Sequence, residues 1–394
     1  METIYLDNNA TTRVSPEVVK EMQPFYGVLY GNPSSIHTFG SRVAKKIEKA
    51  REQVAALLGV NTKEILFSSG GTESDNTAIR SALEISPEKH HIVTSAVEHP
   101  AVRSLCRYFA RRGYRVTEVP VNGEGELDMD AYEKSLTPDT AVVSLMWANN
   151  ETGVLFPIEK AAVLAHERGI PFHTDAVQAV GKVPINLKNS PVDMLSLSGH
   201  KLHGPKGIGV LYIRSGTRFK PTILGGHQEK GRRAGTENTP AIIGLGKACE
   251  LAYQEMEERN SHIRRLRDRL ERGITADVPY TRVNGRNAPR LPNTSNISFE
   301  YVEGEGILLL LDELGICASS GSACTSGSLE PSHVLLAMGV PAATAQGAVR
   351  FSLSHYNQGK EIDFVIKKIP GIIETLRHMS PLWPFREDSI SRAA

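Results

Sequence analysis

An excess of one charge sign is missing from this sequence. Lysine and arginine number 45 against 44 aspartates and glutamates, a net charge of +1 over 394 residues. A field that weak does not draw in nucleic acid or an anionic membrane. No apolar run is long enough to span a membrane. The opening residues, Met1 to Asp7, lack the basic and apolar regions of a secretion leader, so none is expected. Cysteine is scarce, with four residues at Cys106, Cys249, Cys317 and Cys324. Their irregular spacing argues against a disulfide framework or a paired-cysteine metal site. A reducing, cytoplasmic setting is expected. No lysine follows the glycine pair Gly70-Gly71 as a Walker loop requires, and neither G-x-G-x-x-G nor HExxH occurs. There is no internal repeat.

What the chain does contain is alternation. Strands are expected near 65–67, 91–95, 114–119, 141–146, 171–174, 194–198 and 208–213. Helical spacing falls between them, over 41–58, 101–112, 129–136 and 158–168, and glycines close several of these helices. Ser15 ahead of Pro16 is the expected cap of an earlier helix. This order predicts an α/β domain with a mainly parallel sheet flanked by helices. A long charged helix over 241–272 leads out of it. The remainder mixes strands near 295–299 and 349–353 with helices near 305–314, 333–338 and 362–376. That pattern predicts a smaller α+β domain.

Ligands of parallel sheets sit beyond the strand C-termini, so the residues there are the candidates. Ser198-Gly199-His200-Lys201 follows one apolar run, and another leads away from Ile208. Two readings fit equally: a tight turn with an incidental lysine, or a lysine held for a Schiff base with an aldehyde cofactor. Ser68-Ser69-Gly70-Gly71-Thr72 joins a strand to a helix, which aims backbone N–H groups at an anion or simply starts a helix. Asp175 directly follows the strand expected to end at Thr174. It either keeps a pyridine nitrogen protonated or caps the next helix. Gln178 follows three residues later and can donate to a ring oxygen.

His99 after Glu98 suits ring stacking or proton transfer, although a lone histidine is more often structural. Asn149-Asn150 bind a carboxylate or phenolate, or only satisfy loop backbone. Arg350 lies inside an apolar strand and needs an anionic partner, either a substrate carboxylate or a buried acid. Cys324 sits among Ser, Gly and Ala, with nothing bulky to bury it, and reads as an exposed working thiol. Cys106, Cys249 and Cys317 read as packing residues. Metal binding through His200 and His203 lacks a supporting carboxylate cluster.

In their joint order these stretches resemble the cysteine desulfurases, which are fold-type I pyridoxal-phosphate enzymes. The resemblance runs nearly end to end. It rests on residues 5–12, Gly31 to Ser35, Thr72-Glu73-Ser74, Glu98-His99, Asn149-Asn150-Glu151, Asp175 to Gln178, Ser198 to Lys201, Arg232 to Thr236, Ser319 to Cys324 and Leu329 to His333. Residues 146–153 and the Cys324 loop are most similar to the NifS-type branch, which serves nitrogenase; the IscS-type branch is very near. Gly71 stands where the family often has alanine.

The resemblance implies pyridoxal 5'-phosphate bound to Lys201, with Asp175 at the pyridine nitrogen, Gln178 at the ring oxygen and His99 stacked on the ring. Gly71, Thr72, Ser198 and His200 would hold the phosphate, with Thr236 supplied by the other subunit of a homodimer. Asn150 and Arg350 would hold the carboxylate of L-cysteine. Cys324 would be the nucleophile, and would pass sulfur to an iron–sulfur scaffold protein with a transient cluster contact at Cys324. The domains would be 13–257 for the cofactor and 1–12 with 258–394 for the cysteine loop. Three rivals are a selenocysteine lyase, an aminotransferase and a cofactor-free iron–sulfur carrier or scaffold.

Overall fold

The structure, a computed structural model, describes residues 3–320 and 330–384. Its large sheet has seven strands in the order Ile65–Ser68, Gly209–Ile213, Met194–Ser198, Phe172–Asp175, Thr140–Met146, His91–Ser95 and Arg115–Val119. Only Gly209–Ile213 runs against the others. Every residue of the first six strands is buried. Burial on both faces is why these strands read as apolar runs rather than as alternation.

The two faces belong to different packed layers. Leu66, Ile92 and Leu211 pack with Ile79 and Val102 from the helices Gly71–Ile85 and Pro100–Ala110. Their neighbours Ile65, Phe67, Val93 and Val210 face the other way, towards Val43, Val54 and Leu245. Successive strand side chains point to opposite faces, so one sheet organises both layers.

A second core forms around a three-stranded antiparallel sheet, Thr281–Val283, Thr294–Phe299 and Ala348–Ser352. Phe299, Phe351, Ile307 and Val365 fill it. Leu6 belongs to this core, and Ile4–Tyr5 pairs with Ile316–Cys317. The helix Thr239–Asp277 serves both cores: Ile242, Leu245 and Cys249 pack in the first, Ile263, Leu270 and Ile274 in the second. It is longer than the expected 241–272 because Pro240 occupies its first turn and its apolar face runs on to Ile274. No helix of the described residues is long and apolar enough to cross a membrane.

Two local expectations change. Ser15 takes the cap position of Pro16–Met22, yet its side chain makes no cap bond; it accepts from the Tyr356 hydroxyl at 3.3 Å instead. Asp175 is the last strand residue rather than the first beyond it, because its carbonyl still accepts the Trp147 N–H at 2.8 Å.

Candidate active site

The strand ends open on a cavity of about 330 Å³. After Ile65–Ser68 the chain turns through Gly70, whose φ of 155° favours glycine, into the helix Gly71–Ile85. The turn lies against the next strand: a Cβ on Gly209 would sit 2.6 Å from Gly70 Cα. Gly71 and Thr72 line the cavity at this helix start, where N–H groups have no intrahelical partner. A Cβ on Gly71 would approach Val177 Cγ2 to 2.6 Å, so alanine here would require Val177 to move. Ser198 and His200 line the same cavity from the turn Gly199–Lys201.

Lys201 is held by main-chain oxygens. Its Nζ donates to Asn9 O and, at 2.8 Å, to Ala10 O. Asp175 Oδ1 accepts the Val177 N–H at 2.9 Å, so it closes the following turn as well as facing the cavity. Gln178 is buried and donates from Nε2 to Asn9 O at 2.9 Å. His99 Nδ1 accepts the Ala101 N–H at 3.2 Å and caps the helix Pro100–Ala110. Its ring also lines the cavity.

The two asparagines divide the two readings between them. Asn149 is spent on its own loop: Oδ1 accepts from Glu151 and Thr152 N–H, and Nδ2 donates to Val97 O. Asn150 lines the cavity. Arg350 has both kinds of demand. Its Nη2 donates to Asp7 Oδ1 at 2.8 Å and its Nη1 to Asn150 O at 3.0 Å. Its Nε is buried and makes no hydrogen bond in the structure. An orphan guanidinium donor beside a cavity is a demand for an anion.

Burial sets the charges. It pushes the Asp175 carboxyl up, against His99, the Val177 N–H and Lys201, which favour the ion. Asp75, also lining the cavity, is raised further by burial and by the Asp175 charge. His200 is pushed down to about 4 by burial and then by Lys201, Lys206 and Lys182. Two carboxyls near one another cannot both ionise cheaply without a cation between or beside them. A protonated nitrogen of a bound ring would supply such a cation.

Ten of the residues expected at the site therefore line one cavity: Gly71, Thr72, His99, Asn150, Asp175, Gln178, Ser198, His200, Lys201 and Arg350. Thr236 does not line it and is exposed on its own chain. Cys324, with its suggested cluster contact, lies outside the described residues. The anchors on either side of it are described. Ser319 exchanges main-chain hydrogen bonds with Arg350, Ser332 donates to Glu151, and His333 Nε2 lies 3.1 Å from Glu98 O. Cys106 and Cys249 are buried, with the Cys106 thiol raised to about 12 by that burial, and neither they nor Cys317 line the cavity. Among the described residues no three His, Cys, Asp or Glu side chains gather as a metal site. Asn9, Ala10 and Asp75 were not expected at the site; the polar run after Leu6 was the available signal for the first two.

Glu98 carries a pH prediction. Its Oε1 accepts from the Ser95 hydroxyl and the Met146 N–H, while Oε2 is buried without a partner. Burial pushes this carboxyl up to about 8. The folded state thus binds the proton more tightly than the unfolded one. That stability is fully present below the unfolded value and is lost as the pH rises through about 8. Glu98→Gln is expected to flatten the fall of Tm above pH 5 and to be about 2–4 kcal/mol more stable than the parent at pH 9. Equal slopes in thermal melts across that range would refute the assignment.

A mainly parallel sheet with this amine and this carboxylate on adjacent strand ends defines a class, the fold-type I pyridoxal-phosphate enzymes. The donor set fits pyridoxal 5'-phosphate: a lysine amine, a buried carboxylate, and a helix N-terminus with Ser198 and His200 beside it. The chain belongs to the aminotransferase class-V family, whose model matches residues 4–365. It is 61% identical over 384 residues to the cysteine desulfurase NifS of Azotobacter vinelandii, covering 97% of this chain and 96% of that one. A cysteine desulfurase of Trichormus azollae is 59% identical, with 97% and 95% covered. Among solved structures, a NifS-like protein superposes with a TM-score of 0.89 at 40% identity, covering 95% of this chain and all of that one. SspA in complex with cysteine gives 0.80 at 36% identity, over 90% of this chain and 100% of that one.

Proposed function

We propose that this protein is a cysteine desulfurase that removes sulfur from L-cysteine, releases L-alanine and leaves a persulfide on Cys324. One observation carries the reading. Arg350, with a buried donor unpaired, shares the cavity with Lys201 and Asp175, and its main chain is bonded to Ser319 at the head of the cysteine loop. Arg350 thereby touches both the cavity and the residue that precedes the cysteine loop.

Pyridoxal 5'-phosphate, when bound, supplies an electron sink for the substrate amino acid. Lys201 would anchor it, and its amine, when free, would move protons at the substrate Cα. Asp175 would pair with the ring nitrogen, Gln178 would donate to the ring oxygen and His99 would pack on the ring. Gly71, Thr72, Ser198 and His200 would hold the phosphate, joined by Thr236 of the partner subunit in a homodimer. Asn150 and Arg350 hold the substrate carboxylate. The Cys324 thiolate attacks the substrate sulfur, so an S–S bond forms as the C–S bond breaks. The substrate β-carbon gains a proton, with His99 a candidate carrier, and alanine leaves.

The same proposal includes domains at 13–257 and at 1–12 with 258–394; the second core supports it, while Leu291, Val334, Leu335 and Met338 pack in the first. It also includes a cytoplasmic setting and an iron–sulfur scaffold as sulfur acceptor, serving nitrogenase maturation.

Cys324→Ala tests the activity. The variant is expected to keep the visible cofactor band while sulfide release from L-cysteine falls to background. Undiminished release would overturn the desulfurase and leave a selenocysteine lyase or an aminotransferase. A colourless protein that takes up iron would instead favour a scaffold.

A further inference from the structure

The turn after Phe172–Asp175 winds helically: Val180 and Val183 N–H groups bond to Ala176 and Ala179 carbonyls. Residues four apart therefore share a face, and Gln178 and Lys182 are such a pair. Lys182 Nζ donates to Gln178 Oε1 at 2.8 Å. Gln178 Nε2 donates in turn to Asn9 O, the same carbonyl that accepts from Lys201 Nζ. Two lysines are thus joined through one buried amide and one carbonyl.

Lys182 is half-buried, and its bond goes to this amide rather than to an acid. It and Lys201 line a small cavity behind the site, with His203 from the same loop, Arg259 from the long helix and His355 from beyond the last strand. Among the described residues no carboxylate lines that cavity. Burial, then the Lys201 and Arg350 charges, push Lys182 down to about 7. The cost of keeping an amine there points to a role that an apolar residue would not fill.

That role follows from the chemistry of an amide. Turned over, Gln178 would set Nε2 against the Lys182 donor and Oε1 against the Asn9 oxygen, and both hydrogen bonds would be lost. We propose that Lys182 is a positioning residue: it fixes the Gln178 amide so that the cofactor cavity meets an N–H donor, and thereby sets how tightly Lys201 Nζ holds its proton. This rests on the reading that pyridoxal 5'-phosphate occupies the cavity with Gln178 at its ring oxygen. A donor and a positive charge on that side both drain electron density from the oxygen that would otherwise share the Lys201 proton. Both therefore make that proton easier to lose.

The test is a pH titration of the visible band in substrate-free holoenzyme. Lys182→Met is expected to raise the apparent pKa by about one unit, a tenfold tighter hold on the proton. Lys182→Arg, which keeps charge and donors, is expected to stay within a few tenths. In a Gln178→Ala background the Lys182→Met shift is expected to shrink, because one residue acts through the other. An unmoved pKa in Lys182→Met, or shifts that simply add, would overturn the proposal even if Tm fell. Should Lys182→Met not fold, Lys182→Gln keeps a donor without the charge. A partial rise is expected there, and no rise overturns the proposal. A parent protein without a visible band would overturn the cofactor reading instead.

Discussion

Lys201→Ala is expected to strip the visible band from the purified protein and to end sulfide release. Two losses coincide. Lys201 is the only lysine among the described residues that lines the main cavity, and the proposed anchor for the cofactor goes with it. The amine proposed to move protons goes as well, and loss of acid–base catalysis alone is worth about 10²–10⁴-fold in rate. The carbonyls of Asn9 and Ala10 also lose a charged donor, which is expected to cost about 1–3 kcal/mol in thermal or urea melts. Lys201→Arg is not expected to rescue, since a guanidinium keeps its proton and cannot serve as a base. A band that survives in Lys201→Ala would show that the cofactor is held by another amine. Lys182 would then be the first to test, as it lies behind the same site.

The second large effect is expected at Arg350. Removing it leaves the Asp7 carboxylate and the Asn150 carbonyl without their donor, and it removes the orphan Nε. Breaking a buried pair costs about 3–5 kcal/mol, and Asp7, whose side chain is 20% exposed, places this one at the low end. The expected loss in kcat/KM for L-cysteine is about 10²-fold, equivalent to about 3 kcal/mol of a charged, two-nitrogen contact. Arg350→Lys is expected to recover only part, because an ammonium restores charge without the planar fork. Asp7→Asn separates the two effects: it should lower Tm while leaving KM nearly unchanged. If Arg350→Ala lowered Tm and left KM unmoved, the arginine would be structural only.

Much of this site is legible in the chain because buried parallel strands announce their own ends. Lys201, Asp175 and Gly71 each follow an apolar run, and strand termini are where such sheets place ligands. Other parts leave no such mark. Asn9 and Ala10 act through main-chain oxygens, which every residue has, so side-chain type says nothing. Asp75 and Lys182 look like ordinary polar residues of a helix and a turn. Their significance comes from what is folded over them: Asp175 beside one, Lys201 and Arg350 beside the other. Ser15 shows the opposite error. Its position is that of a cap, but Tyr356, 341 residues away, claims its hydroxyl.

The helix Thr239–Asp277 has a further consequence. Its 39 residues, at about 1.5 Å each, make a shaft of about 58 Å. One end is embedded with the strands that carry Lys201, the other with the sheet that carries Arg350. Between them, over 253–260, no residue is fully buried, so the shaft is thinly supported there. Each residue of a helix turns the chain by about 100°. Angle and spacing between amine and guanidinium are therefore written partly in a residue count: the exposed Tyr253, Gln254, Glu257 and Glu258 tolerate changes of side chain, but the stretch does not tolerate a residue more or less.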